Sequence, residues 1–197
     1  MLRAAIQVLE KEGAPRFTMA RVAERAGVSV GSLYQYFPNK AAILFRLQTD
    51  EWRQTTDLMR ALLEDRKHPP LVRLHSLVLA FVQSECDEAK MRIALNDAAP
   101  LYRNAPEAAE VRASGDAIVA EFMREVLPDA TASVRNLAGD LLTTTLGAVA
   151  KEFSESLRTP NEIRDHSNAL AAMLSAYLQM LSKATSRTGT RTRRTSH

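Results

Sequence analysis

Apolar residues recur three and four positions apart along almost the whole chain, and the pattern stops only where proline or glycine stands. A period near 3.6 residues is the mark of amphipathic helices. Leu2, Ala5, Ile6 and Leu9 predict a first helix over about 2–12, ended by Gly13 and Pro15. Thr18 is placed to cap a second helix over about 19–25, and Gly27 to take the left-handed position behind it. Ser29 caps a third over about 30–36, Pro38 stops it, and Asn39 opens a fourth over about 40–64. Beyond His68-Pro69-Pro70 the spacing predicts helices at about 71–82, 86–97, 107–127, 130–158 and 161–183. No segment reads as a strand, and 7 glycines and 8 prolines in 197 residues are too few for a turn-rich sandwich or barrel. The expected fold class is all-α, with about nine helices.

Several kinds of chemistry are excluded early. A lone cysteine, Cys86, permits no internal disulfide framework and no multi-cysteine metal site. His68, His75, His166 and His197 are scattered, with no metal-ligand spacing among them or toward Cys86. His166 lies on an apolar face and reads as a packing residue, and Cys86 reads as a small buried hydrophobe. There is no nucleophile elbow, phosphate-cradling glycine loop or metal motif. The expectation is a protein that is no enzyme and takes no cofactor or metal. No run approaches the roughly 18 apolar residues of a membrane span, and the start does not read as a signal peptide. The expected compartment is therefore the cytoplasm, with no membrane partner.

Charge is unevenly divided. Residues 1–45 carry a net +3, residues 46–182 a net −5 and residues 183–197 a net +5. Nothing acidic occurs between Glu24 and Asp50, a gap that holds Arg25, Lys40 and Arg46 and favours contact with a polyanion. The last stretch, 184–197, is rich in Thr, Ser and Arg and has no large apolar residue, so it is expected to be a basic disordered tail.

The segment from Thr18 to Lys40 reads as helix, tight turn, helix. Val22, Ala23 and Ala26 supply the inner face of the first helix, Val28 plugs the turn, and Leu33 and Phe37 anchor the second. Val30, Gly31, Ser32, Tyr34, Gln35 and Tyr36 remain for the outer face. All are small or able to hydrogen-bond, and none is acidic, so the helix can enter a DNA major groove without charge repulsion.

This segment resembles the DNA-binding domain of the TetR/AcrR family of bacterial transcriptional repressors. The resemblance is carried by Phe17-Thr18, Val22-Ala23, Ala26-Gly27-Val28-Ser29, Gly31-Ser32-Leu33-Tyr34, Tyr36-Phe37 and Asn39-Lys40. It covers about 2–47. It implies that Thr18, Ser32, Tyr34, Tyr36 and Lys40 bind DNA phosphates, and that Val30, Gly31 and Gln35 read base edges. One departure is that the family's basic stretch before the first helix has no counterpart here, because the sequence begins at Met1-Leu2-Arg3. Either that arm is missing or the true start lies upstream.

The resemblance implies a helix-turn-helix domain over 1–46 and an effector-binding and dimerisation domain over 47–183. Its partners would be double-stranded operator DNA, a second copy of the chain and a small, mainly hydrophobic or aromatic effector that releases DNA. Candidate effector contacts are Met59, Leu62, Phe81, Met91, Leu95, Tyr102, Phe122 and Thr144. Leu174, Tyr177, Leu178 and Leu181, near the end of the last helix, are the expected dimer contacts. The alternative is a helical small-molecule-binding protein or enzyme that has lost DNA binding.

Overall fold

Three of the prolines that interrupt the hydrophobic period prove to be the first residues of helices. Pro70 opens α5 (Pro70–Asp87), Pro106 opens α6 (Pro106–Val126) and Pro160 opens α8 (Pro160–Arg194). Proline suits that position because its missing N–H would have no partner there and its φ is already helical. The computed structural model describes residues 1–89, 91 and 106–194, with the backbone alone at 14, 106–108 and 187–194. The remaining helices are α1 (Leu2–Glu12), α2 (Met19–Ala26), α3 (Val30–Tyr36), α4 (Lys40–Leu63) and α7 (Ala132–Ser154), with a 3-10 turn at Ala14–Arg16. Eight α-helices and no strand are therefore present among the described residues. Most of the helix expected at 86–97 lies outside them.

The chain divides into two units. The first, called the head here, comprises Met1–Thr55 and Asp87–Arg112; the second, the body, comprises Thr56–Cys86 and Ala113–His197. The division falls inside α4. The head closes on Ala5, Val8 and Leu9 of α1, Phe17, Val22 and Ala23 around α2, Leu33 of α3, and Ile43, Leu44 and Leu47 of α4. The body closes on a larger cluster that includes Leu74, Leu77 and Val78 of α5, Phe122 and Met123 of α6, Leu142 and Leu146 of α7, and Leu170, Leu174 and Leu178 of α8. Each fully buried leucine or phenylalanine contributes roughly 1.5–3 kcal/mol. Helices α6 and α7 approach closely at Gly139, where an added Cβ would stand 3.1 Å from Val119 Cγ1.

One expectation needs correction here. The last helix does not end near residue 183; its backbone is helical to Arg194, so 184–194 is not the disordered tail that its composition predicted. Nucleating a helix is costly but extending one is not, and Thr185 Oγ1 folds back onto Leu181 O at 3.0 Å instead of disrupting the turn. The start of α8 also carries a capping box. Thr159 Oγ1 accepts from Glu162 N at 3.3 Å, and Thr159 N donates to Glu162 Oε2 at 2.7 Å. The bond from Thr159 N, with another from Thr159 Oγ1 to Glu162 Oε2 at 2.8 Å, holds the Glu162 carboxyl below its usual pKa.

Candidate nucleic-acid interface

Short-range signals fix the geometry of the α2–α3 unit. Thr18 Oγ1 accepts from Arg21 N at 3.3 Å and caps α2. Gly27 ends that helix at φ 67, ψ 31, the left-handed conformation that a Cβ disfavours. Its N–H reaches Glu24 O at 3.1 Å, and Val28 N reaches Ala23 O at 3.0 Å, so two of the orphan carbonyls of α2 are satisfied. Ser29 Oγ then accepts from Ser32 N at 3.0 Å and caps α3. Asn39 Oδ1 accepts from Ala42 N at 2.9 Å and caps α4. All three expected caps and the expected glycine are in place. Val22, Ala23 and Leu33 are fully buried, which fixes the rotation of α2 and α3 about their own axes.

That rotation decides what α3 shows to solvent. Val30 is 39% exposed, Tyr34 49% and Tyr36 69%, and Gly31 and Gln35 are exposed as well. Positions 30, 31, 34 and 35 share one face of the helix. The Tyr34 and Tyr36 hydroxyls, the Gln35 amide and the Lys40 ammonium have no hydrogen-bond or ion-pair partner among the described residues. Thr18 and Lys40 are exposed at the first turns of α2 and α4, where the helix dipoles add partial positive charge. Ser32 is half-buried, its hydroxyl 2.8 Å from that of Ser29. Thr18 spends one acceptor lone pair on its cap and keeps an O–H to donate.

The neighbouring cations are largely engaged. Arg21 pairs with Glu12, Arg25 Nε donates to Gln7 Oε1 at 2.7 Å, and Arg46 lies 3.0 Å from Asp50. These contacts hold the frame of the head. Lys40 is the cation at the edge of α3 that stays free among the described residues.

The body distributes the expected effector residues unevenly. Met59, Leu62 and Phe81 pack against the body cluster that contains Phe122. Met91 instead packs against the head cluster beside residues such as Val8 and Leu33, so it does not join the other four. Thr144 is exposed on α7 rather than turned into the body. Leu95 and Tyr102 lie outside the described residues. Two recesses open in this unit. A groove of about 400 Å³ is lined by Pro69, Pro70, Leu71, Val126 and Leu178, with Glu125, Gln179, Ser182 and Lys183 as polar members. A second, of about 280 Å³, lies between α6 and α7 around Val119, Arg135 and Gly139.

The expected dimer contacts also divide. Leu174 is 4% exposed and Leu178 is 0%, both inside their own chain's core, so neither is free to meet a second copy. Tyr177 and Leu181 are half-buried. Helix α8 has two apolar stripes, and the one with the larger residues faces inward. The outer stripe is Ala169, Met173, Ala176 and Met180, with Met173 52% and Met180 58% exposed. Helix α7 presents a matching stripe of Leu137, Leu141, Thr144 and Ala148, with Leu137 58% and Leu141 45% exposed.

One feature of the body has a partner that no local sequence window contains. Arg73, on the apolar helix α5, is 2% exposed. Its guanidinium donates to Leu63 O at the end of α4 and to Glu125 Oε1 on α6, and lies 5.8 Å from the Phe122 ring centroid. Arg66 Nη1 adds a second cation 2.6 Å from Glu125 Oε2. The hydrogen bond from Arg73 holds the Glu125 carboxyl below its usual pKa; burial opposes this, and the charges of Arg73 and Arg66 reinforce it. His166 packs as expected: its ring stacks on Phe153 at 3.9 Å, and burial, helped by the charge of Arg158, lowers its pKa.

Known proteins account for this arrangement. Residues 1–47 match the family described as bacterial regulatory proteins, tetR family, and residues 69–181 match the tetracyclin repressor-like C-terminal domain. No curated protein matches the chain significantly. Solved structures share the fold at low identity. A TetR-family transcriptional regulator from Mesorhizobium loti has a TM-score of 0.67 at 18% identity, over 89% of this chain and 93% of that one. The TetR-family regulator PfmR from Thermus thermophilus gives 0.66 at 16%, over 88% and 95%. FadR from Bacillus subtilis, solved in complex with stearoyl-CoA, gives 0.61 at 17%, over 92% and 95%. With the C-terminal domain match alone covering more than half of its length, and the helix-turn-helix match preceding it, the chain belongs to the TetR family of bacterial transcriptional regulators.

Proposed function

We propose that this regulator is a repressor that binds a palindromic operator as a homodimer and releases it when a small, mainly hydrophobic effector occupies the body. The observation that carries the DNA half is the outer face of α3, where the polar groups of Tyr34, Gln35 and Tyr36 are exposed, uncharged and unpartnered among the described residues. Gln35 is suited to pair bidentately with adenine, Val30 to meet a thymine methyl, and Gly31 to let the backbone come close. Thr18, Ser32, Tyr34, Tyr36 and Lys40 supply donors for the flanking phosphates.

The dimer half rests on the stripes of α7 and α8. Leu137, Leu141, Met173 and Met180 stand exposed in rows of uncharged residues, and a second copy would cover them. A two-fold dimer offers two recognition helices to half-sites about 34–36 Å apart, which is why the operator should be palindromic.

The effector half rests on the body's apolar lining. Met59, Leu62 and Phe81 pack against the core cluster that contains Phe122, and the groove at Pro69–Leu71 falls within the roughly 300–1,000 Å³ of small-molecule sites. That a protein of this fold is solved with stearoyl-CoA supports a largely apolar effector. Helix α4 gives Ile43, Leu44 and Leu47 to the head and Leu63 to the body, so it is the element through which an effector would act on α3. The effector can shift that equilibrium only by its difference in affinity for the two states.

Selection of sites from random duplex DNA tests the DNA half. The expected result is a palindromic consensus, relaxed at one or two positions by Gln35→Ala, where a lost bidentate pair is worth about 1–3 kcal/mol. An unchanged consensus removes Gln35 from the reading set. A ligand found by thermal shift tests the switch, because operator must weaken its binding by the factor it weakens operator binding. Equal ligand affinities with and without operator sink the switch for that ligand.

A further inference from the structure

We propose that the last turns of α8 form a second, sequence-independent contact for the phosphate backbone of double-stranded DNA. The proposal rests on the DNA-binding reading of the head and adds a separate surface to it. Between Asp165 and His197 the sequence contains no acidic residue, yet residues 183–197 hold five cations. The backbone is helical as far as Arg194, and helical register puts Lys183, Arg187, Arg191 and Arg194 on one stripe, at spacings of four, four and three. Like charges at that spacing repel and weaken an isolated helix. With no acid within reach along α8, a partner carrying regularly spaced negative charge would remove that cost.

The base of the segment is tied down. Ser186 Oγ donates to Asp129 Oδ2 at 3.1 Å, beside the turn between α6 and α7, and the basic residues follow that tether. Four of the five cations are arginine, whose planar fork binds phosphate oxygens in pairs. A lipid surface fits less well. A membrane-lying helix needs a face of large apolar residues, and 184–197 has none. Double-stranded DNA asks only for charge, which its phosphates present at regular spacing.

The test uses the full chain with Arg187, Arg191, Arg193 and Arg194 all changed to Gln, which has similar helix propensity. Affinity for a mixed-sequence duplex is measured by fluorescence anisotropy over a range of KCl concentrations. Neutralising the three arginines of the stripe, together with the adjacent Arg193, should flatten the slope of log affinity against log salt by about 3 per chain and lower affinity at least tenfold in low salt. The four-lysine version should keep the parent's slope. The proposal is overturned by an unchanged slope in the glutamine variant, by a lysine variant that behaves like the glutamine one, or by a parent that binds anionic phospholipid vesicles but not duplex. Combining the four changes with Lys40→Ala and Tyr34→Phe keeps the two readings apart. If the head changes alone do nothing while the arginine changes flatten the slope, the head assignment fails and this one stands.

Discussion

The head and the body are both helical bundles, but they are specified over different distances in sequence. In the head, the caps and the turn that set the start of α3 lie within a few residues of what they control. Thr18 caps Arg21, Gly27 closes on Ala23 and Glu24, and Ser29 caps Ser32. In the body, the main polar tie runs from Arg73 to Glu125, 52 positions apart, and back to Leu63. A short helix that must meet an external ligand at a set angle is aimed by rigid local signals. A body that must respond to a ligand is held by long-range contacts whose balance can shift.

The largest effect expected from this contrast separates the two stripes of α8. Leu174→Glu with Leu178→Glu puts two carboxylates into a closed core and should leave the body unfolded, read as loss of cooperative thermal melting. Leu137→Glu with Met173→Glu alters only exposed positions and should give a folded monomer by sedimentation, with helical signal intact. A folded dimer from the first pair, or an unchanged dimer from the second, would reverse the assignment of faces.

Next in size are the ion pairs. Arg73→Met strips Glu125 of its buried partner and frees the end of α4, and should cost about 3 kcal/mol in urea unfolding. Arg21→Gln in the head removes a pair whose side chains are 45% and 30% exposed, and should cost under about 1 kcal/mol. Equal costs would erase the distinction. Acid sharpens it. The pKa of Glu125 is lowered in the folded protein, so its contribution is fully present above the unfolded value near 4.5 and is lost as pH falls through the folded value. Stability of the parent should therefore drop below that pH more steeply than stability of Glu125→Gln. Parallel curves would mean that the pair does not couple to folding.

The smallest expected effect lies in the head. Lys40→Ala should leave thermal stability unchanged and reduce the salt slope of operator binding by about one contact. Binding as tight as the parent's at every salt concentration would remove Lys40 from the phosphate set.

The same contrast explains what was legible in the sequence. The caps, the left-handed Gly27 and the outward set of Val30, Tyr34, Gln35 and Tyr36 were readable because helical period and local hydrogen bonding decide them. Periodicity also located the stripe containing Leu174 and Leu178, but it could not say whether that stripe meets its own chain or another. That depends on how α5, α6 and α7 pack around α8, which no local window contains. Met91 was grouped with Phe122 by residue type and instead lies against the head cluster. Arg73 gave one usable hint, a lone cation in the otherwise apolar run from Leu71 to Val82, broken only by His75 and Ser76. Its partner Glu125 could not be guessed from that.

The most direct measurement places a photoreactive p-benzoylphenylalanine at one position in each region. In place of Gln35 it should crosslink to the bases of a duplex that the protein retards, and in place of Met173 it should crosslink to a second copy of the protein. The account requires a protein–DNA adduct from the first and a protein–protein adduct from the second. If the chain retards the duplex but position 35 gives no DNA adduct, the outer face of α3 is not the surface that reads DNA.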